Sequence, residues 1–129
     1  MDFPNKNIRK QVCHALELVG LTGKMDRYPH ELSGGEQQRI CIARAIVNNP
    51  PILLCDEPTG NLDPDTSWEI VQLLSKINTR MTTVVMATHD TEIVDGIPKR
   101  VIAVDMGRVI RDQQLGGYIN WAFNVSSFI

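Results

Sequence analysis

The sequence has 129 residues, 43% of them hydrophobic and 22% charged, ordinary proportions for a globular chain long enough to bury a core. Its 13 Lys+Arg against 15 Asp+Glu leave a formal net charge of −2, which gives no support to a nucleic-acid-binding module, where a basic excess on one face is expected. No apolar run approaches the ~20 residues of a membrane-spanning helix, and the N-terminus MDFPNKNIRK lacks the apolar core of a signal peptide, so a cytoplasmic location is expected.

Apolar Ile8, Val12, Leu16 and Val19 recur at helical spacing after Pro4-Asn5, and Gly20 is a fitting stop. Lys6, Arg9 and Lys10 give the first turns of this helix a basic, solvated face. Residues 20–31, GLTGKMDRYPHE, read as loop. The Gly20-to-Lys24 portion is not a phosphate-binding loop: Gly-x-x-x-x-Gly-Lys-Ser/Thr needs a longer spacing, a hydroxyl where Met25 stands, and a preceding strand. Ser33 and Glu36 have the spacing of a capping box. They start a second helix, with Ile40, Ala43, Ile46 and Val47 on one face, which Pro50-Pro51 ends.

Ile52–Cys55 is a continuous apolar run, the pattern of a strand buried on both faces of a parallel sheet. Asp63 followed by Pro64 gives an N-cap with proline at the first helical position, and Ile70, Leu73, Leu74 and Ile77 form the inner face of a third helix. Thr83–Ala87 reads as a second buried strand. Strand, helix, strand of this length predicts a right-handed βαβ unit. Its strands then end on one sheet edge in Asp56-Glu57 and Thr88-His89-Asp90, where open α/β sheets bind ligands. A short helical piece around Thr91–Val94 follows, then strands at Arg100–Val104 and Arg108–Ile110 joined by a tight hairpin at Asp105-Met106-Gly107. The last segment, 119–129, is uncharged and aromatic-rich, too short to span a bilayer, and reads as a terminal extension. Cys13, Cys41 and Cys55 form no CxxC pair, and their apolar neighbours predict buried, reduced thiols.

Three features carry chemistry. Adjacent carboxylates past a buried strand point to different sides, so one can serve Mg²⁺ and the other an attacking water. A Ser33-Gly34-Gly35 turn opening a helix exposes N–H groups to an anion. Of the three histidines, only His89 follows a buried strand on the edge of Asp56-Glu57; His14 and His30 read as structural.

Together these stretches resemble the ATP-binding-cassette (ABC) ATPases. LSGGEQQR at Leu32–Arg39 resembles the family's signature motif, and ILLCDEP at Ile52–Pro58 its Walker B strand with the following glutamate. GNLD at Gly60–Asp63 resembles its D-loop, and His89 falls at its switch histidine. PTGNLDPDTSWEIVQLL and KRVIAVDMGRVIRD look most like the cell-division, FtsE-type branch, whose membrane partner is FtsX; lipoprotein-releasing and macrolide-export ATPases share PTGNLD.

The resemblance implies a partial P-loop NTPase fold of the α/β class, with a mostly parallel sheet and flanking helices. Residues 1–118 would form the partial ATPase domain: 4–49 the helical subdomain and signature helix, 50–118 the Walker B strand, D-loop, switch histidine and hairpin. It implies ATP and Mg²⁺ as ligands, Asp56 supporting Mg²⁺ through water, Glu57 polarising the hydrolytic water, and His89 contacting the γ-phosphate. Ser33, Gly34, Gly35 and Glu36 would close over ATP held by a second subunit of a homodimer. Asp63 would communicate across that interface, and the first helix would lie in the subdomain that touches the membrane partner. It also implies a location peripheral to the inner face of the cell membrane. No Gly-x-x-x-x-Gly-Lys-Ser/Thr occurs in the sequence, so the chain alone is expected to have little or no ATPase activity. The competing reading is a non-catalytic interaction module that offers Ser33–Glu36 to a partner's ATP. A DNA-repair ATPase of the same superfamily fits less well, because QQRICIARAIVNNP looks like the transporters and no coiled-coil heptads are present.

Overall fold

In the computed structural model, residues 6–116 and 127–128 are described. The elements run α1 (Lys6–Leu18), a 3₁₀ turn (Pro29–Glu31), α2 (Gly34–Ile46), β1 (Ile52–Asp56), α3 (Pro64–Asn78), β2 (Thr83–Ala87), α4 (Thr91–Gly96), β3 (Lys99–Asp105), β4 (Arg108–Gly116) and β5 (Ser127–Phe128). The fold is α/β, as the sequence predicts. The chain forms two compact units, Met1–Leu53 with Asn61–Val84, and Leu54–Gly60 with Val85–Ile129.

In the first unit, α1 ends in a Schellman cap. The Leu21 N–H donates to the Leu16 carbonyl at 2.8 Å and the Gly20 N–H to that of Glu17 at 3.0 Å, with Gly20 at φ 75° where a side chain would be strained. Ala15, Leu16 and Val19 are buried, as are Ile42, Ala43 and Ile46 of α2 and Ile70, Val71, Leu73, Leu74 and Ile77 of α3. The predicted inner face of α3 is therefore the observed one. Asp63 caps α3, and Asn78 Nδ2 donates to the Thr82 carbonyl at 3.0 Å as the chain turns toward β2. Arg39 of α2 ties the residue that follows α1 to α3: one guanidinium nitrogen donates to the Val19 carbonyl at 3.1 Å and another to Glu69 at 2.8 Å.

β1 and β2 pair as a two-stranded sheet. They run parallel, with Thr83 N–H on the Pro51 carbonyl at 2.8 Å at one end and Glu57 N–H on the Ala87 carbonyl at 2.9 Å at the other. The expectation that both strands are buried on both faces does not hold. Ile52 is 56% and Leu54 75% exposed while Leu53 between them is buried, and β2 is only half-buried. A continuous apolar run fits burial on two faces, but among the described residues only one face of β1 is covered.

In the second unit, β3 and β4 form an antiparallel hairpin closed by the Asp105↔Arg108 pair. Met106 and Gly107, at φ 46° and 73°, give both central positions the positive φ of a type I′ turn. β5 adds an antiparallel strand on the other edge of β3; apart from those two residues, the 119–129 segment lies outside the described residues. Ile93, Val94, Val101 and Ala103 supply the buried apolar residues here. All three cysteines are free thiols, but Cys13 and Cys41 are exposed and Cys55 is half-buried. That corrects the expectation of burial: Cys13 and Cys41 occupy the outer faces of α1 and α2, since helical spacing and not apolar neighbours decides which side faces inward.

Candidate functional site

Asp56, Glu57 and His89 belong to the second unit. Asp56 ends β1 with its side chain exposed. Glu57 leaves the strand at φ 45°, a left-handed conformation uncommon for a residue with a side chain and costing of order 1 kcal/mol or more. The next turn is held by the Gly60 N–H donating to the Glu57 carbonyl at 3.0 Å. A Cβ on Gly60 would come within 3.3 Å of that same oxygen, so the loop is tight.

His89 meets this carboxylate directly. Its ring Nδ1 lies 2.7 Å from Glu57 Oε1, and its backbone N–H donates to the same oxygen at 3.2 Å. Thr88, 2% exposed, sits beneath the pair. Its hydroxyl lies 3.5 Å from Glu57 Oε2 and accepts from the Asp90 N–H at 3.1 Å, while Asp90 caps α4. The hydrogen bond that His89 donates to Glu57, and then the carboxylate's charge, push the His89 pKa above the ordinary histidine value. The two side chains stay open to solvent, 73% for His89 and 40% for Glu57. The arrangement is an ionisable carboxylate–imidazole pair at a strand edge, able to orient a water or exchange a proton. Thr88 had no role in the sequence reading. Its place just past the end of β2, directly before His89, was the available signal.

Ser33, Gly34, Gly35, Glu36 and Asp63 belong to the first unit. The capping box is complete: Ser33 Oγ accepts from the Glu36 N–H at 3.2 Å, and Glu36 Oε2 accepts from the Ser33 N–H at 3.1 Å. Glu36 Oε1 is bound by Lys24 Nζ at 2.8 Å, and that bond, followed by the one from Ser33, lowers the Glu36 pKa. Lys24, rejected as part of a phosphate loop, is instead the counter-ion of the capping-box carboxylate. Gly35 is buried, whereas Ser33 and Gly34 are exposed. Asp63 accepts from the Thr66 N–H at 3.0 Å and the Thr66 hydroxyl at 2.6 Å, and these bonds lower its pKa.

The ABC transporter family profile matches residues 3–60. The cell division ATP-binding protein FtsE of Streptococcus pneumoniae serotype 2 is 59% identical over 113 residues, 88% of this chain and 49% of that protein. This chain is part of an ABC transporter ATPase domain. It is also similar to FtsE of Bacillus subtilis, 58% identical over 111 residues covering 86% of this chain and 49% of that one. The methionine import ATP-binding protein MetN of Carboxydothermus hydrogenoformans is 50% identical over 111 residues, 85% of this chain and 33% of MetN. The chain spans about half the length of the FtsE relatives it matches.

Solved ABC ATPases share the fold. A dimeric ATP-binding cassette in a post-hydrolysis state, bound to ADP and Pi, superposes with a TM-score of 0.71 at 39% identity, over 92% of this chain and 51% of that one. CbiO1 from Clostridium perfringens, part of the ABC transporter complex cbiONQ, does so at 0.79 and 37% identity, over 88% and 46%. The partial ABC ATPase fold expected from the motifs is the fold observed. Among the described residues, no helix is long and apolar enough to cross a membrane.

Proposed function

We propose that this ABC ATPase segment works in an FtsE-like subunit that couples ATP hydrolysis to an FtsX-like membrane partner in cell division. The observation that carries the catalytic part is the Glu57–His89 pair, with Nδ1 and Oε1 2.7 Å apart. Glu57 polarises the attacking water, and His89, held against it, contacts the γ-phosphate as charge develops there. Asp56, an exposed carboxylate at the end of a strand, suits Mg²⁺, which takes one or two carboxylates and keeps most of its waters. Among the described residues no cluster of three acidic, histidine or cysteine ligands competes with that role. Mg²⁺, when bound, neutralises charge on the transferring phosphate.

Ser33, Gly34, Gly35 and Glu36 close over ATP held by a second subunit of a homodimer, and Asp63 communicates across the interface. On its own this stretch turns over little or no ATP, because its residues include no Gly-x-x-x-x-Gly-Lys-Ser/Thr to grip the phosphates. The working place is the inner face of the membrane, peripheral to it.

The cell-division assignment is supported by 59% identity to FtsE against 50% to MetN. An importer subunit is the second reading, and stimulation of ATP turnover by methionine in the assembled complex would favour it. The catalytic assignment is tested by Glu57→Gln in the complete subunit. Turnover should fall by about 10²-fold or more while ATP stays bound, since the binding groups are untouched. Normal turnover would place the base elsewhere.

A further inference from the structure

Thr66 stands between two of the motifs described above. On one side it holds both oxygens of Asp63, through its N–H at 3.0 Å and its hydroxyl at 2.6 Å. On the other side its γ-methyl meets Gly35 so closely that a Cβ there would lie 2.5 Å from Thr66 Cγ2. The neighbouring glycine repeats the pattern, since a Cβ on Gly34 would lie 3.4 Å from Leu62 Cδ2. The two glycines that open α2 therefore pack against the residues that open α3.

The hydroxyl and the methyl of Thr66 hang from one carbon and turn together about a single bond. A threonine in a helix has two accessible settings of that bond. The hydrogen bond to Asp63 selects one of them, and that setting places the methyl on Gly35. Rotation that breaks the hydroxyl's bond to Asp63 Oδ1 also removes the methyl from the turn, while the N–H bond to Oδ2 stays. Packed contacts of this kind switch between discrete arrangements instead of deforming smoothly.

We propose that Thr66 is a positioning residue that locks the Ser33-Gly34-Gly35 turn to Asp63, so that the two motifs move as one body. This rests on the reading of both motifs as groups that face a second subunit: a displacement of Asp63 at the interface then shifts the turn that closes over the partner's ATP.

The experiment is a set of backbone amide NMR spectra of the chain without nucleotide. Asp63→Asn keeps a good helix cap and weakens the carboxylate's bonds to Thr66 by removing its charge. In the native background it should move the Gly34 and Gly35 amide resonances. Thr66→Val keeps the methyl and loses the hydroxyl; Thr66→Ser keeps the hydroxyl and loses the methyl. Both should abolish the response of Gly34 and Gly35 to Asp63→Asn, with the fold retained. A threonine that merely caps the helix would lose the response in Thr66→Val and keep it in Thr66→Ser. The proposal is overturned by that pattern, or by Gly34 and Gly35 resonances that ignore Asp63→Asn in the native chain. Neither result touches the ATPase reading, which is tested on turnover in the complete subunit.

Discussion

His89 lies against the Glu57 carboxylate at the surface of the second unit. The carboxylate favours the imidazolium, so the folded His89 pKa is raised. The pair's contribution to stability is therefore fully present below the unfolded histidine value of about 6.5 and is lost as pH rises through the higher folded value. Glu57→Gln removes the negative charge, and His89 should then titrate closer to its ordinary value in an NMR pH series. An unchanged titration would mean that the 2.7 Å contact does not persist in solution. The positive φ of Glu57 is the part of this site that no sequence pattern announces. Asp-Glu after an apolar run locates the carboxylates, but the backbone conformation that aims the second one is set by the tight turn to Gly60. His89 is a different case. Its place after a strand predicted the sheet edge it shares with Glu57, and the direct contact follows from that.

Helix starts were the most legible elements, because their signals are local. Ser33 with Glu36, and Asp63 with Pro64, are each complete within four residues, and both caps form as predicted. The close approach of Gly35 to Thr66 was not legible, since it joins residues on separate helices. It makes Gly35 the glycine of the turn that tolerates substitution least. Gly35→Ala should destabilise the chain by about 1–3 kcal/mol through overpacking, read as a lowered melting temperature. Gly34→Ala, facing a flexible leucine at 3.4 Å, should cost clearly less. Equal melting temperatures for the two would mean that the turn has room where the structure shows none. At the next helix, Asp63→Ala should cost about 1 kcal/mol and Asp63→Asn only a few tenths.

For the chain as a whole, the sequence led to the right fold class and to the order of elements through β4, but it missed β5 and misjudged β1. Ile52–Cys55 has the composition of a strand covered on both sides, yet Ile52 and Leu54 lie open. Periodicity reports what a strand is suited to, and the observed burial depends on what lies against it. An apolar row in solvent on a short sheet is an association hazard. Leu54→Thr keeps strand propensity and should reduce binding of a hydrophobic dye while changing stability by about 0.5 kcal/mol or less. A large loss of stability would show that Leu54 is covered in solution.

On the proposed function, the chain offers half of a shared ATP site, with Ser33–Glu36 presented to nucleotide held by another subunit. The most direct measurement is ATP turnover by a complete FtsE-type subunit as this chain is added, with co-elution of the two recorded alongside. The native chain should associate and alter turnover, and Ser33→Glu, which sets a negative charge where the phosphate is received, should abolish the change. Neither association nor altered turnover with the native chain, or an effect that Ser33→Glu leaves intact, would contradict the account.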